Sequence, residues 1–471
     1  MTNWLPTLDD GAGPLYVRLA DRIENDIDTG VLPTGAKLPP QRNLAFDIGV
    51  TVGTVGRAYA LARERGLVSG EVGRGTYVLD REDVAPGKPP TLPPLLAGTR
   101  GLSPPPGKLR LDSTAALEVG QSQAIEDLTR QIVRQHPEAI VNYVHAPSES
   151  WQEAGSRWLT AGDWRPSSQS IVPTLGGHAA ILAVIAAVTA PGDRVAFERL
   201  TYSSIARSTS LIGRRVVAMA SDGGGVDPED FERLCAQQHP KIAFLIPSLQ
   251  NPTLAIMSEE RRRAIVDVAR KHNVWLIEDA IYGAMLESQP VTLAALAPER
   301  TFHVGSLSKT VAAGLRSGWV SCPPHYAARI LTTSKMLTGG KPFLLAELAA
   351  RLVLSGEADA IRDKVRNELQ TREAMARKAF DGCEFTSHPR APFLWMKLPE
   401  PWLSGTFKNA ALNENVLIDD EDEYKPVRTG DVHHRVRIAF SVPKSRGELD
   451  AGFTTLRNLL EGGSAGYDSY G

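Results

Sequence analysis

Three cysteines in 471 residues, Cys235, Cys322 and Cys383, are too few and too scattered for a disulfide framework. Their odd number and lack of ligand spacing point to free thiols in a reducing cytosol, with no metal site. Charge of one sign is also missing. A net charge of −2 exerts no global pull toward nucleic acid or membrane, so any such partner must be met by a local patch. Long apolar runs are absent too. Ala179 to Ala190 is the most apolar stretch, closed by His178 and Pro191, and it reads as a buried helix rather than a membrane span. The first residues carry Asp9 and Asp10 and no basic start before an apolar segment, so no export signal is expected and the cytoplasm is the expected location. Hydrophobic residues at 42% and charged residues at 23% suit a globular protein, and the length suits two or more domains.

Proline divides the chain. Pro86, Pro89, Pro90, Pro93, Pro94, Pro104, Pro105 and Pro106 fall between Asp80 and Arg110, a density that neither helix nor central strand tolerates. Residues 80–110 are therefore expected to be a semi-rigid linker between a head, residues 1–79, and a body, residues 111–471.

In the head, Leu15, Leu19, Ile23 and Ile27 repeat at helical spacing. Gln41 to Ile48 reads as a short helix that Gly49 breaks, and Thr51 is placed to cap a second helix whose buried stripe is Val55, Ala58, Tyr59 and Ala62. This is helix-turn-helix spacing. Arg57 falls on the opposite face and Thr54 at its flank. Leu67 to Val78, with Gly70, Gly73 and Gly75, reads as a hairpin with Arg74 near its tip. A helical interaction module is the plainer alternative. Charge favours nucleic acid: residues 1–80 hold eight basic and ten acidic side chains, but residues 36–75 hold six basic and three acidic.

The body alternates apolar β-prone runs with helical ones, which predicts an α/β core around a parallel-rich sheet. Separate segments then carry the groups that pyridoxal 5′-phosphate (PLP) requires: a lysine for its aldehyde, an acid for its pyridine nitrogen, donors for O3′, a phosphate cradle and a flat ring contact. Lys309 lies in Gly305-Ser306-Leu307-Ser308-Lys309-Thr310, with Arg316 seven residues on. Asp279 ends the run Val274-Trp275-Leu276-Ile277-Glu278-Asp279, and strand ends are where α/β folds bind ligands. Tyr282 and Asn251 are the O3′ donor candidates. Thr174-Leu175-Gly176-Gly177-His178 precedes the apolar helix as a phosphate cradle, and Tyr202 is placed for the ring, although a packed core tyrosine is the competing reading. Arg437, in Arg435-Val436-Arg437-Ile438-Ala439-Phe440-Ser441, is suited to grip a carboxylate bidentately, with a structural ion pair as the alternative.

Two resemblances follow. Leu38-Pro39-Pro40-Gln41-Arg42-Asn43-Leu44-Ala45, Val50-Thr51-Val52-Gly53-Thr54-Val55 and Gly73-Arg74-Gly75-Thr76-Tyr77-Val78 resemble the GntR-type winged helix. That resemblance implies DNA contacts by Arg42, Thr51, Thr54 and the wing tip, with Arg57 and Arg74 as further candidates. Val52 and Gly56 depart from it, standing where many relatives carry arginine. The body resembles fold-type I aminotransferases, which implies phosphate binding by Gly177, His178, Ser306, Ser308 and Arg316, and an α-carboxylate of substrate or effector at Arg437. Ala313, Leu254 and His178 depart from the usual residues there.

Head, linker and body together resemble the MocR group of bacterial transcription regulators. The resemblance implies a PLP-dependent homodimer on double-stranded DNA with repeated half-sites, switched when a small amino compound forms an external aldimine in place of Lys309. An aminotransferase with an accessory head is the competing reading, since both need the same lysine.

Overall fold

The four-residue apolar repeat near the start of the chain folds as the helix Leu15–Asp28, with Leu19 and Ile23 wholly buried and Leu15, its first residue, exposed. In the computed structural model, the described residues are 4–8, 13–71, 75–79, 107–427 and 430–462. The chain forms two compact units, residues 1–97 and 98–471.

In the first unit, the helix Gln41–Asp47 follows Pro40 and the helix Val52–Glu64 follows Thr51, whose Oγ1 accepts the Thr54 backbone N–H at 3.2 Å. Gly49, at φ 70°, makes the turn between them. Val55, Ala58, Tyr59 and Ala62 pack into one cluster with Leu19, Ile23 and Leu44. The hairpin is present, Val68–Glu71 against Gly75–Val78. The expected tip residue Arg74 lies outside the described residues.

The second unit centres on a seven-stranded sheet in the order Ile171–Thr174, Gly318–Ser321, Thr301–Ser306, Trp275–Asp279, Ile242–Leu245, Arg194–Glu198, Arg215–Met219. Every pairing is parallel except the two that flank Gly318–Ser321. These strands are near-continuous apolar runs because both faces are covered. Alternation within each run still sorts residues: Phe197, Phe244 and Ile277 meet the helix Gly177–Val188 on one face, while Ala196, Leu245 and Leu276 meet Glu259–Lys271 on the other.

A smaller antiparallel sheet, Phe385–Thr386, Phe393–Lys397, Arg435–Ala439 and Asp419–Asp420, packs into a third cluster with the helices Glu357–Ala379 and Arg446–Glu461. At the far end of the expected linker, Leu109–Arg110 is a strand paired with Val416–Leu417, and Leu109 lies against Gly452, where any added Cβ would sit 2.5 Å from it. Residues 80–106 lie outside the described residues.

Candidate functional site

One pocket in the second unit gathers all ten residues expected around the cofactor, together with Arg437. The sheet accounts for the convergence. Asp279 and Ser306 end neighbouring parallel strands, and Lys309 and Asn251 lie on the connections that leave such strand ends.

Lys309 is half-buried and its Nζ donates to the Thr114 carbonyl at 2.6 Å and to its Oγ1 at 3.0 Å. Thr114 Oγ1 also lies 2.7 Å from the Tyr282 hydroxyl. Asp279 is 5% exposed and its Oδ1 accepts the Ile281 N–H at 3.0 Å. Burial pushes its carboxyl up to about 6, only partly countered by that hydrogen bond and the Lys309 charge. A cation at this spot, such as a protonated pyridine nitrogen, relieves that penalty. Asn251 Oδ1 accepts from Arg437 Nη1 at 2.9 Å, so its amide NH2 is the half left to donate.

At the other end, Gly176 at φ 83° starts the helix Gly177–Val188, whose first N–H groups have no partner within the helix. A Cβ on Gly177 would meet Ile281 Cδ1 at 2.2 Å, and one on Gly176 would face the Arg316 guanidinium at 3.7 Å. Arg316 is exposed, and its Nη2 donates to the Leu175 carbonyl at 3.3 Å. Ser306 Oγ and Ser308 Oγ are 3.0 Å apart. Burial, then the Arg316 charge, holds the His178 imidazole below its usual range and therefore neutral at pH 7, with Nδ1 3.3 Å from the Tyr202 hydroxyl and Nε2 3.1 Å from Ser208 Oγ. Amine, buried acid, O3′ donors and anion cradle fit PLP.

Several contributors escaped the sequence reading. Thr114 and Asp112 lie just past the linker with no motif around them. Arg262, in a helix that reads as surface charge, is 1% exposed; it ties the Asn251 loop together by donating to the Pro247 carbonyl and Ser248 Oγ, and lies 3.5 Å from Glu278. Asp419 and Tyr424 also meet Arg437. A single chain gave no signal for any of them except that Asp419 and Tyr424 sit in an acidic stretch that reads as solvated surface.

In the head, Arg42 and Arg57 are exposed on adjacent helices. Thr51 and Thr54 have hydroxyls 2.9 Å apart at the start of the second helix. Gly56, a departure noted above, faces Gln41, whose Oε1 would lie 3.3 Å from an added Cβ.

The model for aminotransferase class I and II matches residues 138–446, and that for bacterial regulatory proteins of the gntR family matches residues 15–78. The HTH-type transcriptional regulator YdeF of Bacillus subtilis (strain 168) is 30% identical over 461 residues, covering 98% of this chain and 97% of its own. The chain belongs to the aminotransferase class I and II family, in its HTH-regulator branch. A second HTH-type regulator, YjiR of Escherichia coli (strain K12), is 26% identical and covers 82% of this chain and 86% of its own. Among solved structures, an archaeal alanine:glyoxylate aminotransferase superposes at TM-score 0.69 with 23% identity, covering 75% of this chain and 91% of its own. The α-aminoadipate aminotransferase LysN of Thermus thermophilus does so at 0.67 with 21% identity, covering 78% and 93%. These likenesses are of fold. Among the described residues, no helix is long and apolar enough to cross a membrane, and no cluster of three or more His, Cys, Asp or Glu could hold a metal ion.

Proposed function

We propose that this chain is a PLP-dependent transcription regulator that works in the cytoplasm, binding operator DNA through its head and sensing a small amino compound in its body. The observation that carries this reading is the combination of a gntR-family head with a complete set of cofactor groups converging on one pocket of the same chain. When bound, the cofactor supplies an aldehyde that condenses reversibly with primary amines and gives the protein a visible absorption band. Lys309 would hold that aldehyde, and an incoming amine would take its place. Asp279 would face the ring nitrogen, and Tyr282 and Asn251 would hold O3′. Gly177, His178, Ser306, Ser308 and Arg316 would hold the phosphate, and Tyr202 would lie against the ring. Thr114 keeps the lysine amine aimed into the pocket. The domains are read as 1–79, 80–110 and 111–471.

A homodimer is part of this proposal. Val141, Tyr143 and Met336 are 81%, 88% and 81% exposed, and the stretches around them line one cleft. Apolar surface of that kind marks an interaction face, and a dimer would present two heads to repeated half-sites. On the head, Arg42 would contact phosphate, Thr51 and Thr54 the DNA at the helix start, and Arg57 and Arg74 the flanks. Aminotransferase turnover is the weaker reading, since it leaves the head without a purpose.

The test has two arms. Purified protein should be yellow, and Lys309→Ala should lose the band; a band unchanged in the variant sinks the cofactor assignment. Promoter fragments should be retarded by the wild type, and rapid multiple turnover with an amino donor and keto acceptor, without retardation of any fragment, favours the enzyme.

A further inference from the structure

Arg437 is buried to 1% exposure with Asp419 directly opposite it on the neighbouring strand. Strand register creates the pair, Arg437 Nη2 lying 2.8 Å from Asp419 Oδ2. The Tyr424 hydroxyl donates to the same Asp419 oxygen. Phe393 and Tyr424 each place a ring centroid 5.0 Å from the guanidinium carbon, which fixes the fork in place.

Donor accounting decides what this arginine can still do. A guanidinium grips a carboxylate at two points either through Nη1 with Nη2 or through Nε with Nη2, so both modes need a free Nη2 hydrogen. Nη2 has two. One goes to the Asp112 carbonyl at 2.8 Å and the other to Asp419. Nη1 gives one hydrogen to Asn251. Nε is buried without a partner among the described residues and leaves a single-point contact, but neither two-point mode is open while Asp419 holds the second Nη2 hydrogen. A ligand carboxylate would also bring a second buried anion to one cation, which low-dielectric surroundings oppose. The arginine beside the pocket acid Glu423, Arg207, is already paired with it at 2.8 Å, so it does not serve as an alternative carboxylate site.

We infer that Asp419 fills the carboxylate position of Arg437 from within the chain, and that the pocket accepts a primary amine bearing no α-carboxylate in preference to an α-amino acid. This rests on the regulator reading above and names the ligand class for its pocket. Arg437 becomes a positioning residue for Asn251 and Asp112, and the ligand substituent meets uncharged walls such as Ile246, Ile281 and Tyr424.

The experiment uses the cofactor-loaded full chain and matched ligand pairs that differ only by the carboxylate: 2-phenylethylamine against L-phenylalanine, isoamylamine against L-leucine, and 1,4-diaminobutane against L-ornithine. Half-saturation of the change in the visible band is measured for each. The amine of at least one pair should act at about tenfold lower concentration or better than its amino acid, a difference of about 1.4 kcal/mol. Asp419→Asn keeps the shape and frees Arg437, and should cut that ratio at least severalfold or invert it. Amino acids acting as well as or better than their amines in the wild type overturn the inference without needing the variant to fold. So does an unchanged ratio in a folded Asp419→Asn protein, or a loaded protein that responds to neither series. A wild-type protein that never takes up the band is a different failure, that of the cofactor reading itself.

Discussion

At the residue scale, the groups whose chemistry needs no neighbours were legible in the chain, and those defined by neighbours were not. Lys309 and Asp279 announce themselves because an amine among small hydroxyls and an acid at a strand end are unusual locally. Arg437 was legible as an arginine at the site, with two roles open. Only the cross-strand partner Asp419, eighteen residues away in an acidic stretch, favours one. Glu198 is another such case. It ends an apolar strand at 1% exposure, with Oε2 accepting from the Ile246 N–H and Gln250 Nε2, each at 3.2 Å. Burial pushes its carboxyl up to about 8, against those hydrogen bonds, and the nearby Asp279 charge pushes the same way. The folded value lies above the unfolded one, so the contribution to stability is complete below about 4.5, falls as pH rises, and is fully lost above about 8. The fall is at most about 1.4 kcal/mol per pH unit. In the cofactor-free protein, Glu198→Gln should therefore gain on the wild type steadily between pH 5 and 8 in urea unfolding, and hold its lead above that. Parallel curves for the two proteins would refute a buried neutral Glu198.

At the element scale, the few helices and strands that periodicity marked fold within a residue or two of the marked ranges, since burial of one face is what holds them. The apolar run expected to be a buried helix begins at Gly177, two residues before the run itself, because the helix start serves the cradle. What periodicity did not convey is which glycines matter. Gly318 opens the strand of the large sheet that runs antiparallel to both its neighbours. A Cβ there would lie 2.6 Å from the Gly305 carbonyl oxygen and 3.2 Å from the Gly176 Cα, all backbone that cannot swing aside. Gly314, four residues earlier in the same motif, has nothing within 4 Å of its added Cβ. Gly318→Ala should cost about 1–3 kcal/mol of stability, the usual penalty of overpacking, and loosen the phosphate cradle that Gly176 begins. Gly314→Ala should stay close to wild type. Unfolding midpoints and retention of the visible band through dialysis separate the pair, and equal behaviour of both variants would mean the close approach is not real.

At the scale of the whole molecule, a net charge of −2 conceals a division of labour that the local count of residues 36–75 uncovers. Charge that binds DNA acts within about 8–10 Å at physiological salt, so a small basic face suffices even on a slightly acidic chain. Arg42 and Arg57 stand exposed on that face, while Arg63 and Arg65 are at the far end of the same helix, and Arg65 pairs with Asp21 and Glu24 at 2.7 Å each. Arg42 and Arg57 therefore have charge to spend on phosphate that Arg65 does not. If Arg42 sets register through a phosphate, Arg42→Ala should weaken binding to specific and unrelated fragments by a similar factor. It should also reduce the slope of log affinity against log salt by about one for each head engaged. A base-reading role would appear instead as a loss confined to the specific fragment with the slope unchanged. Arg65→Ala, whose charge is already answered by two acids, should leave both quantities near the wild-type values, and a salt titration of all three proteins on one operator and one random fragment decides between them.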